Sequence, residues 1–561
     1  MHTENIKGLT SPEKPCLVET SQGFSVLYKE RYLYSKYSPA KSLLQRVDEL
    51  TILENTLVVC LSPCLGYGLE ELIKKMPKNC FLLCLELDEN LYSLSANSLN
   101  DFIVNKSIQF IEPKHIVNIV DILLKKNFTE EYKNIPDIYN FKRAIMLEMS
   151  GGTFFYNDFY KKIANTIQNT ISNFWKNRLT LVKLGRLYSR NFFKNLKNIN
   201  DLKSISIYKN KFTKPFLIVG AGESCENIIN TLSKNNLSSF NIVAVDAILP
   251  TLQANKIIPD FIVAVESQLA IEKAYIGSKK NNSIILADLT SRKSITKYSQ
   301  KDVYFFYSEY TNASFLDNAH KKNILPLKIP ALGSVGLTSV YLACLLRQSE
   351  DIPIFICGLD FSYSLGTTHA RGTPAHKSRL NNSDRLHSLH NYKAAFNPSA
   401  KKYTNSLGED SYTDITLQNY RDLFYNFFYN TKNLYNLSKT GLNLGIPNVD
   451  EKVLSRIPQE VQIIITNNIP EKSENKEKRI NYINEEKKAL SRIKELLING
   501  ENTEPKPNPS LSIELENLIK PREYLYLHFP DGYKYQKDNI SFLKRIRSEI
   551  DFFIKDLTTP W

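Results

Sequence analysis

Between residues 216 and 360 the sequence repeats one device: a short apolar run stops at a polar or acidic residue. Phe216–Val219 runs into Gly220-Ala221-Gly222-Glu223-Ser224. Asn241–Val245 ends at Asp246, Phe261–Val265 at Glu266 and Ser283–Ala287 at Asp288. Val303–Tyr307 stops just before Glu309, and Pro353–Gly358 leads to Asp360. Short unbroken apolar runs are expected of strands buried on both faces, as in a parallel sheet covered by helices. Each run delivers its polar residue at the same edge. The expected fold class is therefore α/β, with a doubly wound sheet and one functional rim at the C-terminal ends of its strands.

The stretch 329–373 lies at the centre of that rim. Gly333-Ser334 precede an apolar segment (Val335, Leu337, Val340, Leu342, Ala343, Leu345, Leu346) that reads as a buried helix. Ser334 falls at the N-cap, and the free N–H groups of such a helix start suit a phosphate. After Pro353–Gly358 come Asp360, Ser362, Tyr363, Thr367, Thr368, His369 and Arg371. The segment His376–Tyr403 is basic (His376, Lys377, Arg379, Arg385, His387, His390, Lys393, Lys401, Lys402) and reads as a mobile lid or anion-binding surface. His387 and His390 at one helical face also suit a metal. With no cysteine nearby and Asp384 the one acid, the anion reading is preferred.

Upstream, Gly23–Tyr34 alternates like a hairpin, and a helix is expected from Ser38 to Leu50. Leu57–Leu61, the turn Ser62–Gly68, the helix Leu69–Lys75 and the strand Cys80–Leu85 form a β-turn-α-β unit ending in Glu86 and Asp88. That outlines either a nucleotide-binding half or a scaffold of the same build, since its Gly-x-Gly is short of a full fingerprint. Ile108–Ile111 and Arg143–Leu147 read as further strands. Between Tyr156 and Asn198, Ile163, Ile167, Ile171 and Trp175 recur at a four-residue step, as in long helices. Asp414–Phe428 reads as an amphipathic helix and Leu434–Leu437 as a last strand. Glu471–Glu504 carries Ile483, Leu490 and Leu497 at heptad spacing; Pro505–Pro509 reads as a linker and Ile513–Leu557 as helical at both ends. The expected division is an N-terminal Rossmann-like domain (1–155), a helical connector (156–200), a central domain (201–448) and a helical accessory domain (449–561).

Length and charge narrow the partners. A chain of 561 residues exceeds one core. Net charge is +14 with a pI of about 9.1, which favours anionic ligands. The charge is dispersed, so nucleic acid is not expected as a partner. The eight cysteines sit mostly in apolar runs and read as reduced, buried thiols. Cys80 and Cys84 share one strand and would stand about 13 Å apart at roughly 3.3 Å per residue, too far to hold one zinc. No signal peptide and no run of about 18 apolar residues is present, so a cytoplasmic protein is expected.

Taken together, VGAGES (Val219–Ser224), IPDFIVAVE (Ile258–Glu266), GSVG (Gly333–Gly336), GLDFSYSLGTTHARGT (Gly358–Thr373), DITLQNY (Asp414–Tyr420) and YNLSKTGLNLGI (Tyr435–Ile446) resemble the motility-associated factor (Maf-type) flagellin glycosyltransferases. YLYSKYSPAKSL (Tyr32–Leu43) and the Gly-Tyr-Gly turn are similar to that family's N-terminal domain. The central domain also resembles archaeal hydroxymethylpterin diphosphokinases and is structurally akin to sialyltransferases that use CMP-sugars. The resemblance implies two Rossmann-like domains, and transfer of a nonulosonic sugar from a CMP donor to Ser or Thr of flagellin, with no cofactor and no metal. Under it, His369 is the expected base, with Asp360 orienting the loop or bonding the donor. Arg371 and the Gly333-Ser334 helix start would stabilise the departing phosphate. Gly220, Gly222 and Ser224 would let the nucleotide approach; Asp246 and Glu266 would bind hydroxyls; Thr368 would line the donor site. Glu223 stands where the family commonly has Pro, and Glu266 where it has Asp. Two alternatives stay open: a pterin diphosphokinase using ATP and Mg²⁺ held by Asp246, Glu266 and Asp360, or a non-catalytic flagellin-binding factor.

Overall fold

The computed structural model describes residues 14–103, 107–124, 132–197, 203–232, 237–278, 282–298, 301–386, 399–457, 473–501, 509–537 and 539–558. The chain divides into two compact units, Met1–Thr180 and Leu181–Trp561. In the first, β1 (Cys16–Thr20), β2 (Gly23–Tyr28) and β3 (Arg31–Tyr32) form an antiparallel sheet, one strand more than the expected hairpin. Then β4 (Thr56–Leu61), β5 (Phe81–Leu85), β6 (Ile108–Ile111) and β7 (Arg143–Glu148) form a parallel sheet in the order β6-β5-β4-β7. The helices expected between Tyr156 and Asn198 are one element of 41 residues, Asn157–Lys197. Ile163, Ile167 and Ile171 bury into the core of the first unit. Phe192, Phe193 and Leu196 bury into that of the second.

The second unit is built on one parallel sheet. Its strands are β8 (Lys203–Ser204), β9 (Phe216–Val219), β10 (Asn241–Val245), β11 (Phe261–Ala264), β12 (Ile284–Asp288), β13 (Val303–Ser308), β14 (Leu327–Ile329), β15 (Ile354–Cys357) and β18 (Leu434–Asn436). The order is β14-β13-β12-β11-β10-β9-β15-β18, with the short β8 also paired to β13. The two remaining strands, β16 (Lys401–Thr404) and β17 (Asp410–Thr413), form a separate antiparallel hairpin that begins at the end of the segment read as a lid and continues beyond it. Helix Pro374–Asn381 occupies the start of that segment. His387, His390 and Lys393 lie outside the described residues, as does the Pro505–Pro509 linker apart from Pro509.

Alternate residues of each strand go to opposite layers, as the two-residue period requires. Leu217, Val219, Ile242, Ala244 and Phe305 face one layer. Phe216, Ile218, Val243, Phe261 and Phe306 face the other. The second layer contains helices Val335–Leu346 and Ile415–Phe428. The first contains the end of the long helix and the C-terminal helices, so Ile483, Leu490, Leu497, Tyr524 and Phe553 are buried in one core with the sheet. The tail thus covers a sheet face that would otherwise expose aromatic and aliphatic side chains. Its fully buried Leu490, Ile493 and Phe553 each contribute about 1.5–3 kcal/mol by apolar burial.

A chain ending at Ile457 loses this layer. It is expected to aggregate or to lose its cooperative urea transition; a soluble, cooperatively unfolding truncation contradicts this packing.

Candidate active site on the rim of the central sheet

Strand order reverses between β9 and β15, since the chain builds outward from β9 through β14 and then returns to the other side of β9. In such sheets the crevice at the reversal is the usual ligand site. Here two turns meet backbone to backbone. Gly220 N–H donates to Cys357 O at 2.8 Å and Gly222 N–H to Gly358 O at 2.9 Å. A Cβ on Gly220 would overlap the Gly358 carbonyl. One on Gly222 would lie 2.5 Å from Asp360 Oδ2. Gly358 itself has φ +70°, a conformation suited to glycine. These glycines therefore serve the contact between the two turns.

Asp360 locks that contact. Its carboxylate is buried and accepts from Ser224 N–H at 2.9 Å, from the Ser224 hydroxyl, and from Ser438 Oγ at 3.0 Å. Ser224 Oγ in turn accepts from Gly358 N–H at 3.0 Å. Burial raises the Asp360 pKa, while the Ser224 and Ser438 bonds oppose that rise. Asp360 and Ser224 thus brace the floor of the crevice. The next residue, Phe361, is held at φ +49°, a strained position for a bulky side chain.

The loop after β15 is tied across this floor. Ser364 N–H donates to Glu223 Oε2 at 3.3 Å, Ala370 N–H to Ala221 O at 2.9 Å, and Arg371 N–H to Glu226 Oε1 at 2.7 Å. Thr251 Oγ1, on the helix after β10, donates to Arg371 O at 2.7 Å. These anchors hold Ala370 and Arg371, the residues after His369, against the turn that follows β9, and Thr368 Oγ1 lies 3.2 Å from His369 Nδ1. Burial, and then the charge of Arg379, lower the His369 pKa, so the ring is neutral near pH 7 and able to accept a proton. Arg371 turns outward: its side chain is 79% exposed and lies 3.5 Å from Glu226.

Farther along the rim, Asp246 Oδ1 accepts Ala247 N–H at 2.8 Å while Oδ2 is buried without a partner. Burial and the charge of Glu266 raise its pKa to about 7. Glu266 is half-buried and accepts Gln268 N–H at 2.9 Å. Its charge reaches Tyr188 and Tyr420, which the sequence reading did not single out; burial and Glu266 hold the Tyr188 hydroxyl up at about 12. A Cβ on Gly333 would lie 3.3 Å from the Tyr420 ring, so the start of helix Val335–Leu346 adjoins this cluster. Ser334 occupies the N-cap position, but its hydroxyl makes no capping bond and leaves the first turn open. Asp288, by contrast, is consumed by Thr290 and Ser308. Among the described residues no group of three His, Cys, Asp or Glu side chains is placed to hold a metal.

The first unit has its own strand reversal, between β4 and β7. There Ser62 Oγ donates to Glu86 Oε2 at 2.6 Å and lies 3.0 Å from Ser150 Oγ; Tyr160 OH donates to Glu86 Oε1 at 3.1 Å. Burial raises the Glu86 pKa to about 7. A Cβ on Gly152 would collide with Ser62 Oγ. Glu86 is fully buried beneath these hydroxyls.

The central unit thus belongs to the class of doubly wound α/β proteins whose ligand crevice lies at a strand reversal. Residues 190–366 match the family described as "6-hydroxymethylpterin diphosphokinase MptE-like". An uncharacterized protein of Treponema pallidum (strain Nichols) is 31% identical over 582 residues, covering 99% of this chain and 96% of its own. The fold is similar to that of the Maf glycosyltransferase from Magnetospirillum magneticum AMB-1, with a TM-score of 0.51, 15% identity, and coverage of 97% of this chain and 91% of that one. The chain belongs to the family of the Treponema protein, carries an MptE-like match in its central part, and shares its fold with the Magnetospirillum enzyme.

Two outcomes test this geometry. Gly220→Ala, which forces a methyl group against the Gly358 carbonyl, is expected to cost about 1–3 kcal/mol in urea unfolding. Asp246 has a folded pKa of about 7, above its ordinary value of 3.8. The native state then holds the extra proton, and stability falls as pH rises from about 4 to 7. Asp246→Asn is expected to gain about 1–4 kcal/mol relative to wild type at pH 8 and little at pH 4, because only at pH 8 is a buried charge removed.

Proposed function

We propose that the protein is a glycosyltransferase that moves a nonulosonic, sialic-acid-like sugar from a CMP donor to Ser or Thr of flagellin in the cytoplasm, in support of flagellar assembly. The observation that supports the reading is His369, half-buried, with its pKa lowered so that the ring is neutral near pH 7, on the 362–373 loop that Glu226 and Thr251 anchor at Arg371. In this reading the acceptor hydroxyl oxygen attacks the anomeric carbon of the sugar. His369 takes the hydroxyl proton, and the bond from that carbon to the phosphate oxygen breaks, with its electron pair leaving on CMP. The open first turn of helix Val335–Leu346 offers N–H groups to the phosphate as charge develops on it. Glu266 accepts from a hydroxyl of the sugar, with Tyr188 and Tyr420 beside it. The side chains named here supply proton transfer and charge stabilisation without a metal.

The diphosphokinase reading would hold Mg²⁺ between carboxylates. It is disfavoured by Asp360, which is engaged by Ser224 and Ser438, and by Asp246, whose burial favours its neutral form.

Purified protein, a CMP-sugar and flagellin are expected to release CMP and to add the sugar's mass to flagellin; no product from any CMP-nonulosonic acid contradicts the reading. His369→Ala is expected to lower kcat by about 10²–10⁴ with folding intact. Because His369 is active as the neutral ring and its pKa is lowered, the acid limb of the wild-type rate should lie below pH 6.5. An acid limb above that value, or one that persists in His369→Ala, removes His369 as the base.

A further inference from the structure

The helix Pro374–Asn381 carries a cation that the fold leaves unanswered. Arg379 Nη1 donates to Gly366 O at 2.9 Å, on the loop that holds His369. Its Nε and Nη2 are covered from solvent and have no hydrogen-bond partner among the described residues. No carboxylate among the described residues pairs with it. Buried guanidinium groups are ordinarily paired, because desolvating the charge and leaving its N–H groups empty are both costly. Arg379 also stands close enough to His369 for its charge to oppose protonation of that ring. Arg379, with no described carboxylate paired to it, makes an electropositive spot next to His369, the proposed base. The adjoining loop is bounded by Gly366 and Gly372, at φ +88° and +85°, so its ends adopt a backbone conformation favoured by glycine.

We propose that the Arg379 guanidinium is the binding group for an oxyanion of the donor substrate, seated beside His369. This rests on the donor reading above. Two donor groups share the required chemistry, the phosphate and the sugar's carboxylate. A planar fork suits either.

Calorimetric titration of the full chain tests this with four probes: CMP, cytidine, N-acetylneuraminic acid and inorganic pyrophosphate. Wild type is expected to bind CMP more tightly than cytidine. Arg379→Gln should weaken CMP about tenfold or more while leaving cytidine unchanged, with Arg379→Lys in between. If the free sugar acid weakens instead of CMP, the seated oxyanion is the carboxylate and the proposal stands. If only pyrophosphate binds, and in an Arg379-dependent way, the site stands and the CMP-sugar reading fails. A folded Arg379→Gln chain with unchanged affinity for every probe overturns the proposal, as does a wild type that binds none of the three anions. Should Arg379→Gln not fold, Arg379→Lys with wild-type affinity for all probes overturns it equally.

Discussion

The meeting of two backbone turns at Gly220–Gly222 and Gly358–Asp360 is the contact on which the rest of the rim depends. Neighbouring parallel strands can bring their following turns this close only where both lack side chains. Gly220, Gly222 and Gly358 supply that, and a methyl at Gly220 or Gly222 would strike Gly358 or Asp360. Asp360 then fastens the pair through Ser224, from the first turn, and Ser438, from the end of β18. Three successive strands of the sheet, β9, β15 and β18, are tied at their functional ends by one buried carboxylate.

That brace frees the next layer for chemistry. With the floor fixed, the 362–373 loop is anchored at Glu223, Ala221, Glu226 and Thr251 and leaves His369 half-buried. The charges divide in space. Burial raises the pKa of Asp246 and Asp360 at the strand ends, while it lowers that of His369 and Arg379 on the segment after β15.

Much of this fold is legible in the sequence, because fully buried strands must be apolar throughout and their ends must turn polar. The strands β9 to β13, β15 and β18 were expected from such runs. The hairpin of β16 and β17 was not, since Lys401–Thr404 and Asp410–Thr413 are polar and short. The tail's heptad positions marked a helix but not its destination, which is the core beneath the sheet. The site is less legible for a physical reason. An acid at a strand end looks the same whether it faces a ligand or is sealed by its neighbours. For Asp360 the sealing groups lie 136 residues upstream and 78 downstream. The outward turn of Arg371 and the unpaired state of Arg379 likewise exist only in three dimensions, since both stand in an unremarkable basic stretch.

The central claim is that this rim transfers a sugar to flagellin. It is tested most directly by the intact mass of flagellin isolated from cells with and without the gene. The account predicts that flagellin from intact cells is heavier by one or more nonulosonic-acid residues, and that the increment disappears with the gene and returns when it is restored. Identical flagellin masses in the two cells would contradict it.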